Sequence, residues 1–285
     1  MLDLTNTRAI LTGASRGLGV VIADTLAQQG VDLVLAARNL HELEDVAAQV
    51  ARHGRKVVVV PTDVGDRDAL GRLHERARAE LGEIDLLVNN AGIEHSSYYE
   101  DLTLDELQLM LQVNLGAPML LTRMVLPDML ARDRGHVVNV ASLGALAPNA
   151  YGESYGGTKA GLVGFTRSLR VSLKNRGSAV SASVICPGFV RETGMYANGQ
   201  REHGVQAPSI LGTCTPGAVA AAVVRAIEDD EAQIIVNGRP VRPFLALGAL
   251  SPALLDWFAE KLKINQTLRV LADGRRAERR QRPPV

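Results

Sequence analysis

The 285-residue sequence predicts an α/β fold: a single domain on a doubly wound parallel sheet of about seven strands, with helices on both faces. Two observations carry this expectation. Short runs rich in β-branched and other apolar residues recur along the chain, and most lack in/out alternation, as strands covered on both faces should. Amphipathic stretches separate them, several stopping at glycine, so strand, helix and strand follow one another with right-handed crossovers. The strands are expected at 9–11, 31–37, 56–60, 84–89, 136–141, 180–185 and 233–236. The helices are expected at 20–29 before Gly30, 40–53 before Gly54, 66–81 before Gly82, and then 104–132, 154–176 and 216–229.

Two regions break the rhythm. Residues 189–215 are rich in Gly, Pro and polar side chains and read as a mobile loop. After Gly238 the alternation ends. The chain therefore divides into a main domain over 1–238, a hydrophobic helical extension over 239–272 packed on it, and an Arg-rich tail over 273–285. The tail holds five arginines against Asp273 and Glu278, a net +3 balanced by −3 in the rest of the chain, and is expected to be solvated and frayed.

Hydrophobic residues make up 46% of the chain and charged residues 22%, which excludes global disorder. Lys+Arg and Asp+Glu are both 31, so bulk charge offers nothing to nucleic acid. Cys186 and Cys214 are too few for a disulfide framework or a zinc cluster, and the expectation is a reducing, cytoplasmic setting. The six histidines have no ligand spacing, so no metal is expected. The N-terminus shows no basic segment followed by a long apolar one, so no signal peptide is expected. No run reaches the ~20 apolar residues of a spanning helix; the longest uncharged apolar stretch, 243–255, is broken by Pro252.

Chemistry enters at Thr12-Gly13-Ala14-Ser15-Arg16-Gly17-Leu18-Gly19, between the first strand and the first helix. Glycines there permit a tight turn and close backbone approach to a pyrophosphate, and the helix N-terminus offers free N–H groups and a positive dipole end. This strand–turn–helix context points to dinucleotide binding. The acid that would hold a ribose 2′-OH belongs about 20 residues further on, but the second strand ends Ala36-Ala37-Arg38-Asn39. Arg38 with Arg16 can instead clamp a 2′-phosphate, which favours NADP(H) over NAD(H); the plainer alternative makes Arg38 a solvated residue after a strand.

Tyr155 and Lys159 stand four residues apart, on one face of a helix. A tyrosine with its ordinary pKa near 10 is a poor acid–base group at neutral pH, and a cation within ~4–6 Å lowers it by about 1–3 units. Ser142 ends a strand 13 residues upstream. Asn114 is an amide inside a helix, an unfavourable place without a bonding role.

Taken together, these residues resemble the short-chain dehydrogenase/reductase family, over about residues 7–237. The resemblance implies a Rossmann-like fold. It makes Gly13, Ser15, Arg16, Gly17, Leu18 and Gly19 the cofactor turn, Asp63-Val64 the adenine contact, and Asn89-Asn90-Ala91-Gly92 the brace beside the cofactor. Pro187-Gly188, with Val190 and Thr193, shapes the nicotinamide end. Asn114, Ser142, Tyr155 and Lys159 match the family's catalytic tetrad. The implied chemistry is hydride transfer from NADPH to a carbonyl carbon while Tyr155 protonates the oxygen, with the reverse for a secondary alcohol. Ser142 would bond that oxygen. Lys159 would hold the nicotinamide ribose and depress the Tyr155 pKa, and Asn114 would position a relay water.

Three departures stand out. The threonine usual five residues after Pro187 is displaced by Glu192 to Thr193. Arg170-Val171-Ser172 replaces the Ala-Arg-Glu common among acyl-carrier-protein reductases. The chain also continues past Val236-Asn237-Gly238-Arg239-Pro240 instead of ending there.

Leu245, Leu247, Leu250, Leu254, Leu255, Trp257, Phe258 and Leu262, with Lys261 and Lys263, mark the extension. It is expected to cover the substrate pocket or a partner subunit, in preference to lying on a membrane. The substrate is expected to be an apolar, medium-sized ketone or aldehyde, given the hydrophobic extension. The alternative is a 3-oxoacyl thioester, which a convergence of Arg123, Arg167 and Arg170 would support, and the third reading is a non-catalytic NADPH sensor. Met195, Tyr98, Tyr99 and Tyr196 are candidate pocket residues, and Cys186 reads as a buried strand-end thiol. Resemblance further implies a homodimer or homotetramer paired through the helices at 104–132 and 154–176.

Overall fold

The computed structural model describes residues 2–262 and 264–281; Lys263 and 282–285, with Arg282 of the basic tail, lie outside the described residues. In chain order the first half runs β1 (Arg8–Thr12), α1 (Leu18–Gln28), β2 (Asp32–Ala37), α2 (Leu40–Ala51), β3 (Val57–Pro61), α3 (Arg67–Leu81) and β4 (Leu86–Asn89). Next come α4 (Leu104–Leu111), α5 (Ala117–Ala131), β5 (His136–Val140), α6 (Glu153–Asn175) and β6 (Ser181–Pro187). The chain then forms β7 (Phe189–Val190), α7 (Gly194–His203), β8 (Thr213–Cys214), α8 (Pro216–Glu228) and β9 (Gln233–Val236). It ends in α9 (Arg242–Leu250), α10 (Pro252–Lys261) and α11 (Gln266–Gln281).

Seven strands form one parallel sheet in the order β3-β2-β1-β4-β5-β6-β9. The order reverses between β1 and β4, and in such sheets the ligand crevice opens above the carboxyl ends at that reversal. Ile10, Leu11, Leu33, Val34, Leu35, Leu86, Leu87 and Val88 are fully buried, as a sheet covered on both faces requires. One face packs under α1, α2 and α8 through Ile22, Leu26, Leu43, Val50, Val223 and Ile227. The other packs under α3, α5 and α6 through Leu70, Leu73, Leu121, Val125, Met129 and Leu173.

Local signals set the helix ends. Asn39 caps α2 by accepting from the Glu42 N–H, Asp66 caps α3 by accepting from Asp68, and Thr103 with Glu106 closes a capping box on α4. The helix expected over 104–132 is a rod with a defect. A π turn, Gln112–Gly116, joins α4 to α5, and Pro118, having no N–H, cannot close an i→i−4 bond to the Asn114 carbonyl. By length and composition this 28-residue rod is apolar enough to cross a membrane, with a mean hydropathy of 1.4 over its most apolar stretch. The apolar-run criterion missed it because charges interrupt the sequence, but the rod lies along the sheet with 44% of that stretch buried.

Two expectations are corrected here. Residues 189–215 are not a structureless loop: β7 pairs in parallel with β8, and α7 lies between them. Phe189 packs edge-to-face on Tyr196 at 5.1 Å, Tyr196 Oη accepts from the Ala207 N–H at 2.8 Å, and Asn237 donates to the Leu211 carbonyl at 2.7 Å. The Arg-rich tail, too, is not frayed through 281, because it continues α11. Arg275 and Arg279 each pair with Glu106 at 2.6 Å, Arg276 pairs with Glu100 at 2.7 Å and with Asp101, and the Arg276 guanidinium lies 3.4 Å above the Tyr98 ring. The arginines are ordered because an acidic segment of the main domain faces them, a pairing that sequence separation hides.

Candidate active site

The glycine turn lies at the carboxyl end of β1, where the strand order reverses. Gly13 has φ +66°, and a Cβ there would stand 2.8 Å from Ala91 Cα, so the turn is seated directly on the end of β4. Thr12 Oγ1 accepts from the N–H groups of Asn90 and Ala91 at 3.1 Å, and Asn90 Nδ2 donates to the carbonyls of Thr12 (3.1 Å) and Gly13 (3.0 Å). Gly19 does not face the cleft. A Cβ on it would meet the Gly13 carbonyl oxygen at 2.0 Å, so this glycine lets α1 pack against its own turn. No side chain caps the start of α1 at Gly17. Its first N–H groups therefore have no partner inside the helix and face an open cleft, the arrangement a dinucleotide pyrophosphate requires.

That cleft has a volume of about 1010 Å³. Gly13, Ser15, Arg16, Gly17, Leu18, Arg38, Asp63 and Val64 line one end, and Asn90, Ala91, Gly92, Ser142, Tyr155, Lys159, Pro187, Gly188, Val190 and Thr193 line the rest. Thr193 Oγ1 would lie 3.8 Å from a Cβ on Gly17, which puts it over the glycine turn. Arg16 and Arg38 make no ion pair or hydrogen bond with other described residues. One unforeseen acid, Glu42 in the first turn of α2, shares their end of the cleft.

Ser142 follows β5, and its Oγ accepts from the Gly144 N–H at 3.1 Å. Tyr155 and Lys159 lie one turn apart on α6, with Lys159 Nζ 5.9 Å from the centre of the phenol ring. Lys159 is buried and donates to the Val140 carbonyl at 2.9 Å. Asn114, fully buried in the π turn, lies behind the cleft and does not line it. Its Oδ1 accepts from the Ile93 N–H at 2.8 Å, and its Nδ2 donates to the Ile93 carbonyl at 2.8 Å and to Thr158 Oγ1 at 3.2 Å. Thr158 Oγ1 in turn donates to the Tyr155 carbonyl at 2.8 Å. Asn114 thus ties Ile93, in the loop after β4, to the helical turn that bears Tyr155. Both of its amide hydrogens are used, which leaves little side-chain capacity for the relay water.

The electrostatics correct a further expectation. In the chain alone Lys159 does not depress the Tyr155 pKa. Burial raises it, the nearby Glu94 carboxylate raises it further, and only a hydrogen bond from Ser142 opposes them. Burial also pushes Lys159 itself down to about 8, partly countered by Cys186 and Glu94. Cys186 is the buried strand-end thiol expected, with its own pKa pushed up to about 12 by burial.

The sequence pattern of the short chain dehydrogenase family matches residues 7–204. The chain belongs to the short-chain dehydrogenase/reductase family. It is 39% identical over 267 residues to the ketoacyl reductase HetN of Nostoc sp., covering 90% of this chain and 91% of that protein. It is 32% identical over 236 residues to nodulation protein G of Rhizobium meliloti, covering 82% and 94%. Two solved structures are similar. One is a metagenomic short-chain oxidoreductase in complex with NADP (TM-score 0.69, 30% identity, 82% of this chain and 98% of that one). The other is a short chain dehydrogenase/reductase from Burkholderia phymatum in complex with NAD (TM-score 0.79, 25% identity, 89% and 96%).

This short-chain dehydrogenase/reductase is thus an oxidoreductase of the nicotinamide-dinucleotide class, with a seven-stranded sheet of the kind its relatives share. Its pocket differs from the sequence-based list in a few places. Met195 and Tyr196 line the cleft, but Tyr98 and Tyr99 do not: Tyr98 packs on Tyr151 and Arg276, and Tyr99 is exposed. Arg123, Arg167 and Arg170 do not converge on the cleft. Arg170 is held by Asp230 at 2.7 Å and by the Ala182 carbonyl at 3.1 Å, at the other end of the sheet. Glu42, Glu94 and Asn149 line the cleft without having been singled out. Each is a lone polar residue in a loop or first turn, with no sequence periodicity to mark it.

Proposed function

We propose that this enzyme is an NADPH-dependent reductase of ketones or aldehydes, with Tyr155 as the acid that protonates the carbonyl oxygen. The convergence of Ser142, Tyr155 and Lys159 on one cleft with the glycine turn carries this reading. The bound cofactor supplies the hydride. Tyr155 holds its proton throughout the neutral range, because burial and Glu94 keep its pKa high. The reductive direction needs the phenol protonated at the start, while a raised pKa also makes it a weaker acid than one tuned to neutral pH. Ser142 would steady the charge that develops on the oxygen, and Lys159, which lines the same cleft, would hold the cofactor ribose. Arg16 and Arg38 provide two cations for a 2′-phosphate at the end of the cleft that Glu42 and Asp63 also line.

The apolar wall contributed by Phe244, Leu245, Leu255, Leu268 and Leu271 supports an apolar substrate body. A 3-oxoacyl thioester remains the second reading. It is favoured by the name of the Nostoc relative and opposed by the engagement of Arg170 with Asp230. We also propose that two copies pair along α4, α5 and α6, whose outer faces expose Leu104, Leu111, Met119 and Val171; elution as a monomer in gel filtration would contradict this.

The test is the rate of NADPH and NADH oxidation with an α-diketone, an aromatic aldehyde, a steroid ketone and a 3-oxoacyl thioester. Faster turnover with NADPH on a simple carbonyl is expected. Turnover of the thioester alone would select the second reading.

A further inference from the structure

Glu94 is a carboxylate in the cleft that neither the glycine turn nor the tetrad uses. Its place is fixed from behind, since Asn114 grips the preceding residue, Ile93, through both its N–H and its C=O. One carboxyl oxygen, Oε1, accepts from Ser96 Oγ at 2.8 Å. The other, Oε2, makes no hydrogen bond to any described residue, and no Lys, Arg or His among them lies within ion-pair distance of the carboxylate. Two residues earlier, a Cβ on Gly92 would stand 3.2 Å from Lys159 Nζ, which places this segment at the tetrad end of the cleft and not at the adenosine end. Glu94 is partly buried and lines the cleft together with Ser142, Asn149 and Tyr155, so Oε2 is open to whatever occupies it. Burial pushes the Glu94 carboxyl above its ordinary range, with the Ser96 hydrogen bond and the Lys159 charge opposing, and in the ionised form it can only accept hydrogen bonds.

Resting on the proposed carbonyl reduction, we infer that Glu94 is a specificity-determining residue. Its Oε2 receives the hydroxyl of a substrate that carries that group next to the reacting carbonyl, on an otherwise apolar body. A carboxylate at that position is disfavoured, because it brings a second acidic group against Glu94.

The test measures kcat/KM with NADPH for 2-hydroxyacetophenone, acetophenone and 2-aminoacetophenone in the wild type, Glu94→Gln and Glu94→Leu, after melting curves establish that the variants fold. The ratio of hydroxyketone to plain ketone is expected to fall about tenfold or more in Glu94→Leu. Glu94→Gln, whose amide oxygen still accepts, should retain most of the ratio. A ratio in Glu94→Leu within about twofold of wild type, with turnover still dependent on Tyr155, overturns the role of Glu94 and leaves the reductase reading intact. A larger loss for the aminoketone than for the hydroxyketone overturns the assignment of a hydroxyl. Absence of turnover of all three ketones by the wild type overturns the carbonyl reading itself, and the inference with it.

Discussion

Lys159 illustrates how the site trades stability for chemistry at the level of single residues. Burial lowers its pKa to about 8 against an ordinary 10.5, so the charged form is disfavoured in the fold. For a group shifted in this direction the sign is fixed. The unfolded chain binds more protons than the folded one between the two values, so the cost is fully present below about 8 and fades as pH rises toward 10.5. Lys159→Met should therefore melt higher than the wild type at pH 7, by roughly 1–2 kcal/mol in stability, while losing activity. Thermal melts from pH 7 to 10 check this, and a variant less stable than wild type at pH 7 would contradict it. At the far end of the cleft, Arg38→Ala should lower the preference for NADPH over NADH by roughly 10–100-fold, the worth of one charge-assisted hydrogen bond. Parallel kcat/KM values with the two cofactors read this directly. The tetrad and the glycine turn were legible in the sequence because each has a local spacing that its chemistry demands. Glu94 was not, because a lone glutamate in a loop gains meaning only from what folds around it.

At the level of elements, the segment from Tyr98 to Glu106 and helix α11 form one unit. Glu106 is the hub. Despite an opposing effect of burial, the Thr103 N–H and the guanidinium groups of Arg279 and Arg275 hold its pKa down to about 2. Its folded value lies below the ordinary 4.5, so the stabilisation is present above 4.5 and lost as pH falls toward 2. Amide exchange in α11 should accelerate over that window while the sheet stays protected, and uniform exchange across the molecule would argue against a separately docked helix. Arg276→Ala should bring the same loosening at neutral pH, seen as faster tryptic cleavage within 266–281, and high salt should add to it only modestly because the pairs are partly buried. The sequence showed that these arginines are clustered, but the acids they meet lie some 170 residues earlier, beyond any local pattern. The π turn was more accessible in principle, since Pro118 four residues after Asn114 already forbids a regular helix there.

At the scale of the whole molecule, the sheet order explains why turn, tetrad and cleft coincide. After β1 the chain passes to β2 on one side and after β4 to β5 on the other, so the connections leaving these two adjacent parallel strands diverge and leave a crevice above their carboxyl ends. The glycine turn closes one side of it, and β5, α6 and the end of β6 supply the reacting side chains. This much was legible in the sequence, because strand and helix periods are local and crossover handedness is nearly invariant. The wall over the substrate was legible only as a hydrophobic extension whose place lay open between the pocket and a partner subunit, since α7 and α9 to α11 take their places through contacts made only once the sheet exists. Removing residues 266–285 should leave the main domain folded but uncover Ala197 and Val205, raising KM for an apolar ketone more than for NADPH.

The most direct test of the central claim is to compare the wild type with Tyr155→Phe. NADPH binding would be followed by quenching of the Trp257 fluorescence or by calorimetry, beside single-turnover hydride transfer to a reducible ketone. The account predicts that Tyr155→Phe binds NADPH within a few-fold of the wild type but loses roughly 10²–10⁴ in rate, the usual worth of a positioned general acid. An unchanged rate in that variant would mean that another group protonates the carbonyl oxygen, and the reading of the cleft as a Tyr155-driven active site would be wrong.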